Sequence, residues 1–424
     1  MAWFGHARRI FAPLAVCTVL VATGAPARAQ QTPDVAAAPV YTLEALLTRA
    51  ARESPALNTS RAAQATSRAG LITARAYPNP EFAIEQGRLN ARRAGADTGS
   101  NLALSWVQPI ESPWLRDARL RGANARVDFA LAQTAALQTN LNAAIRDAFF
   151  DQLKFKAQLQ GLTEDLQLTE QIRDRIAARV RIGEAPRFDL LRAENEVAGV
   201  RKNLDATRPR IRQAQLALRQ LVSPSLEADF DLILTAGDIR PLTQTDYLAL
   251  KYAVVESNPD VVLARQALIG AERQVEIERQ QVLPRVELRA THERDPSVSL
   301  MRIGAQVTLP LLDRREGPIA EATAEVQRAR LALDERRFDS DARFEAAWQA
   351  YQGALAQESA IQNGILERAR QVLLVAEAAY RLGERGIIEY LDAQRQFRLV
   401  RAELLDARLD LQRARSDLER LAGR

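Results

Sequence analysis

The chain is written twice, and that limits its possible folds more than any other feature. "RLGERGIIEYLDAQRQFRLVRAEL" at 381–404 has a counterpart 200 residues upstream, "RIGEAPRFDLLRAENEVAGVRKNL" at 181–204. Between 181–208 and 381–408, nine of 28 positions are identical, among them Arg181/Arg381, Gly183/Gly383, Glu184/Glu384 and Leu191/Leu391. The correspondence extends outward to "WVQPI" (106–110) with "VTLPL" (307–311) and "LRQL" (218–221) with "LERL" (418–421). A duplicated chain has to build one structural unit twice, and the two copies then pack as equivalents.

Each half reads as short helix, helix, two strands, very long helix and long helix. In the first half the periodicity predicts helices over 42–53 and 56–76, ended by Pro78 and Pro80, and strands over 81–87 and 101–108. Ser112 and Pro113 then open a helix with no breaker until Gly183, predicted over 113–182. At 1.5 Å per residue it is a rod of about 100 Å. A second helix is predicted over 187–221. The second half predicts helices over 243–256 and 260–282, strands over 285–291 and 299–309, and helices over 315–382 and 387–421. The domain expectation is a repeat over 30–222, a connector over 223–242 with a β-like run at Phe230–Leu234, and a repeat over 243–424.

Residues 1–29 read as a cleaved secretory leader. Arg8 and Arg9 precede an apolar run from Ile10 to Ala22, and Ala27-Arg28-Ala29 is a small-residue cleavage pattern. Removing it takes away three arginines and no acids, lowering the net charge from +5 to +2. It also removes Cys17, the only cysteine. The mature chain would hold one histidine, His292, and one methionine, Met301. A resident thiolate or imidazole metal centre is therefore not expected, nor any cofactor. Of 58 basic residues only Lys154, Lys156, Lys202 and Lys251 are lysines. The arginines alternate with acids at helical spacing, as on solvated helix faces rather than a nucleic-acid patch. No phosphate loop, nucleophile elbow or H-E-x-x-H segment occurs, so no enzyme is expected.

The strands alternate cleanly. Leu102, Leu104 and Trp106 alternate with Asn101, Ala103, Ser105 and Val107; Met301, Ile303, Ala305, Val307 and Leu309 alternate with Arg302, Gly304, Gln306 and Thr308. Such strands suit a half-buried hairpin or a membrane barrel. Four strands cannot close a barrel in lipid, but three copies would supply twelve.

The leader, the duplicated unit and the Gly-plus-acid breaks resemble the TolC-like outer membrane efflux proteins over nearly the whole mature chain. "YPNPEFAIEQ" (77–86), following "ESPAL", is similar to the CzcC-like heavy-metal branch. The resemblance implies a mainly α fold with a β-barrel contribution. In it, a homotrimeric twelve-stranded outer membrane barrel continues into a periplasmic α-helical barrel. It implies a periplasmic adaptor (membrane fusion) protein and an inner membrane RND-type transporter as partners. It also implies that the Gly breaks lie at the periplasmic entrance. Within "YRLGERGIIEYLDA" (380–393), Tyr380 and Arg385 match a gating tyrosine and arginine, and Glu389 and Asp392 match two entrance acids. Asp189 matches the carboxylate holding that tyrosine and arginine. Gly183, Glu184, Gly383 and Glu384 match the helix-tip turns that meet the adaptor. Independently of the family, Glu389 and Asp392 are i,i+3 on one helix face, and in a trimer would give six carboxylates around one mouth. Two alternatives stay open at this point: a periplasmic coiled-coil adaptor or scaffold, and the same channel serving drugs rather than metals.

Overall fold

The computed structural model describes residues 39–90, 98–235 and 240–424. The expected leader lies outside them, as do parts of the first hairpin loop and of the connector.

The order of elements follows from a few local signals. After β1 (Val40–Tyr41), Thr42 caps α1 (Leu43–Glu53) by accepting from the Ala45 N–H at 3.2 Å. Pro55 then starts α2 (Pro55–Arg75), where its missing N–H costs nothing. Two paired strands follow, β2 (Glu81–Leu89) and β3 (Gly99–Ile110), and then α3 (Pro113–Arg181) and α4 (Arg187–Val222). A short β4 (Asp231–Leu232) pairs in parallel with β1, and of the two only β4 was expected, within the β-like run at 230–234. The second half begins with α5 (Gln244–Ser257), whose Thr243 and Asp246 form a reciprocal capping box. It continues through α6 (Pro259–Gln280), β5 (Arg285–Arg294), β6 (Ser299–Thr308), α7 (Glu316–Ala360), α8 (Leu366–Arg381) and α9 (Ile387–Leu421).

Two details depart from the sequence expectation. Strands β2, β3 and β5 run longer than predicted, because antiparallel pairing continues to Leu89↔Gly99 in the first hairpin and from Ile110↔Val286 to Leu102↔Arg294 between the hairpins. The helix expected over 315–382 is interrupted by a π turn at Ile361–Ile365. That turn re-phases the apolar stripe so that Ile361 buries against Val400, Leu404 and Ala407 of α9, and Gly364 lies inside it. Helix α4 keeps to its expected span and runs unbroken through Pro209. Proline there forfeits the bond to the Asp205 carbonyl, and both residues lie on the exposed face, where water can take that carbonyl.

Packing repeats the duplication. Leu46, Leu57, Ile145, Phe149, Leu218 and Val222 form one buried cluster, closed by Leu226, Phe230 and Leu232 of the connector. Leu250, Val254, Phe344, Trp348, Tyr351, Leu418 and Leu421 form its counterpart, and there the Leu242 N–H donates to the Tyr351 hydroxyl at 2.7 Å. Each cluster docks a short helix, α1 or α5, onto the rods.

The strands form one antiparallel sheet in the order β2-β3-β5-β6. Register makes rows across it: Phe82, Trp106, Ala290 and Ile303; Ile84, Leu104, His292 and Met301. Both hairpins therefore send their apolar residues to the same face, where Phe82, Ile84 and Ile303 are 75%, 74% and 79% exposed. Glu81, Glu85, Asn101, Ser105, Glu287, Thr291, Arg302 and Gln306 share the other face. Among the described residues the outer edges of β2 and β6 are unpaired. Among the described residues no helix is long and apolar enough to cross a membrane.

Candidate functional site

At the ends of the rods, α3 turns into α4 and α8 into α9 through the same device. Gly183 and Gly383 adopt φ of +81° and +78°, the left-handed region that costs a residue with a side chain about 1–2 kcal/mol. At the first tip the Gly183 N–H donates to the Val180 carbonyl at 3.1 Å and the Glu184 N–H to the Arg179 carbonyl at 2.9 Å. At the second, the Gly383 N–H donates to the Tyr380 carbonyl at 3.2 Å and the Glu384 N–H to the Ala379 carbonyl at 2.9 Å. Both tips are Schellman turns, which satisfy carbonyls that the helix end would leave bare. Glu184 reaches back to Arg179 at 3.8 Å; Glu384 is exposed.

Behind the tips lies a small core of Ile172 and Ile176 from α3, Ala193 from α4, and Ile387, Tyr390 and Leu391 from α9. Tyr380 packs against it. Its ring stacks on Tyr390 with centroids 5.8 Å apart and 15° between planes, and the Arg179 guanidinium lies 5.9 Å from its centroid. Burial raises the Tyr390 hydroxyl pKa, and the Glu377 carboxylate adds to the effect. Tyr380 thus bridges α8 to α3 and α9 within one protomer.

The acids sit differently. Asp189 is half-buried in the first turn of α4, and Glu389 and Asp392 are exposed in the opening turns of α9. The Glu389 carboxylate folds back beside Gly386, and Asp392 lies 3.7 Å from Arg395. Arg385 is exposed in the turn. Within the protomer Asp189 and Arg385 form no ion pair with each other among the described residues.

Sequence reasoning missed a charged clasp just above the tips. Glu196 of α4 has a side chain only 11% exposed and accepts from Arg395 and, at 3.0 Å, from Arg398, both on α9. Burial works against its charge, but the two guanidiniums outweigh that and hold the carboxyl below the usual range. One turn further along, Arg401 lies 3.3 Å from Glu164 and 3.6 Å from Asp165 of α3. Asp165 is pushed up by burial, with Arg401 and Arg398 opposing. The arginine spacing 395, 398, 401 marks one stripe of α9 and was readable; its partners on two other helices were not.

The sequence profile described as "Outer membrane efflux protein" matches residues 46–223 and 250–424. The cobalt-zinc-cadmium resistance protein CzcC of Cupriavidus metallidurans is 23% identical over 98% of this chain and 100% of its own length. Protein CyaE of Bordetella pertussis is 25% identical over 80% of this chain and 75% of its own. Among solved structures, CusC superposes with a TM-score of 0.77 at 17% identity, covering 90% of this chain and 91% of that one. VceC of Vibrio cholerae superposes with a TM-score of 0.74 at 20% identity, covering 90% and 96%. The chain therefore belongs to the outer membrane efflux proteins, passive channels of tripartite export pumps, and resides in the outer membrane with its helical part in the periplasm.

Proposed function

We propose that this protein is the exit duct of a pump for metal cations, assembled as a homotrimer. The observation that carries the reading is the sheet: four strands with one apolar exposed face, one polar face and two open edges. Lipid tolerates no open edge, and directions alternate so that β6 of one copy can pair antiparallel with β2 of the next. Three copies would close twelve strands. The two profile matches, 46–223 and 250–424, support repeats over 30–222 and 243–424 joined at 223–242.

In this reading the tips are the entrance. Glu389 and Asp392 form a cation-selective ring, and their exposure on the first turns of α9 supports it. Tyr380, Arg385 and Asp189 form the gate. Asp189 and Arg385 are unpaired with each other inside the protomer, which suits a link between copies. Gly183, Glu184, Gly383 and Glu384 meet a periplasmic adaptor, and an inner membrane RND-type transporter loads the duct. The full-length similarity to a cobalt-zinc-cadmium resistance protein supports metal cargo. Drug cargo is the competing reading, because the fold, shared with channels such as CmeC, sets no cargo by itself.

Single-channel conductance in planar bilayers tests the duct and gate together. A small cation-selective pore that widens in Arg385→Ser is expected. Correctly folded protein giving no pore in either form would sink the reading. Complementing a deletion strain separates the cargoes: restored cobalt, zinc or cadmium tolerance supports metals, and restored drug tolerance alone overturns them.

A further inference from the structure

The two faces of the sheet differ in the sign of their charge as well as in polarity. All four acids of the β2-β3-β5-β6 sheet, Glu81, Glu85, Glu287 and Glu293, lie on the polar face together with Arg285, Arg289 and Arg302. The apolar face holds no acid. Its only arginines are Arg88 and Arg294, both at the hairpin-turn end, in the successive rows Arg88–Ser100 and Gln86–Leu102–Arg294–Ser299. Both are exposed, and neither side chain has a partner among the described residues. Elsewhere in the chain exposed arginines commonly pair with acids, as Arg302 does with Glu293 at 3.3 Å.

Position gives these arginines a meaning. From Val286, Ile110 and Val307 up to Ile84, Leu104 and Met301 the face is an apolar band interrupted only by Gln108 and His292, with exposed Tyr77 and Trp114 near its helix-side end. The helices are periplasmic, so the hairpin turns point outward. Arg88 and Arg294 then stand at the depth of the outer-leaflet headgroups, where an arginine facing lipid costs little. Two strand spacings and one row separate their backbones by roughly 12 Å, enough for two distinct phosphates. A guanidinium presents a planar fork that matches phosphate oxygens in bidentate fashion.

We propose that Arg88 and Arg294 form a binding site for the phosphorylated glycolipid of the outer leaflet. Its phosphates sit on the two guanidiniums and its chains on Phe82, Ile84, Leu104 and Ile303. The site rests on the barrel reading above, because only a barrel turns this face toward lipid.

The test uses full-length protein purified in neutral detergent, with diphosphorylated lipid A, dephosphorylated lipid A and phosphatidylglycerol as probes and binding read by native mass spectrometry. Wild type should prefer the diphosphorylated form, and Arg88→Gln/Arg294→Gln should weaken that binding about tenfold or more. Arg302→Gln, on the opposite face, should leave it unchanged. Equal binding by wild type and double variant, or equal binding of phosphorylated and dephosphorylated lipid, overturns the site. Phosphatidylglycerol bound as tightly as lipid A overturns the glycolipid assignment. Conductance of the same preparations separates the two levels: a normal pore with unaltered lipid binding sinks the site alone, and no pore sinks the barrel.

Discussion

Replacing Glu196 with Gln keeps the shape of the clasp between α4 and α9 and removes its charge. The Arg398 side chain is 14% exposed and bonds Glu196 at 3.0 Å, so losing a charged acceptor there costs about 2 kcal/mol. Arg395 is half-exposed, and screening reduces its share to less than about 1 kcal/mol. The sum is about 2.5 kcal/mol, or about 60-fold in a local opening equilibrium at 1.4 kcal/mol per tenfold. Amide hydrogen exchange reads this directly: slow amides over 387–400 should exchange faster by about that factor. Glu325→Gln, removing the exposed i,i+3 partner of Arg328, should change exchange in α7 less than about threefold. The pH dependence has a definite sign. Because the Glu196 pKa in the folded protein lies below its unfolded value, its stabilisation is complete above the ordinary carboxylate range and is lost as pH falls through the folded value. Protection in wild type should therefore hold from pH 7 down to that range and fall below it, and the variant should lack this fall. If Glu196→Gln exchanges no faster than Glu325→Gln, the clasp contributes nothing and the reasoning fails.

Other outcomes follow from the same geometry. Gly383→Ala meets no atom within 4 Å, so its cost is backbone alone, about 1–2 kcal/mol; Gly383→Asn should cost less, and equal urea midpoints for wild type and both variants would contradict the left-handed requirement. Ile303→Arg on the apolar face should cost about 2–4 kcal/mol and deplete folded protein in the outer membrane, whereas Gln306→Arg on the other face of the same strand should be tolerated; equal depletion would mean the faces are misassigned. Glu389→Ala/Asp392→Ala should move the reversal potential in a salt gradient toward zero, and unchanged selectivity would remove both acids from the entrance ring.

The helices were legible because their causes are local. Pro55, Pro113 and Pro259 at first helical positions, Thr42 and Thr243 as caps, and Gly183 and Gly383 at left-handed turns each act within a few residues of where they stand. The π turn at 361–365 was not legible, because its benefit is the burial of Ile361 against Val400, Leu404 and Ala407 of another helix. Pro209 did not interrupt the expected helix over 187–221, and it is tolerated because it lies on the exposed face of α4.

By itself, then, the sequence determined the duplicated unit, the rods, the tips and the alternation within each strand, all properties of residues a turn or a pleat apart. Tertiary structure decided which faces coincide. The pairing of β3 with β5, residues nearly two hundred apart, brings the apolar sides of both hairpins together and collects every acid of the two hairpins' strands on the opposite face. The stacking of Tyr380 on Tyr390 and the reach of Arg398 to Glu196 were decided there too. Each joins different helices, and no period in one segment records the phase of another.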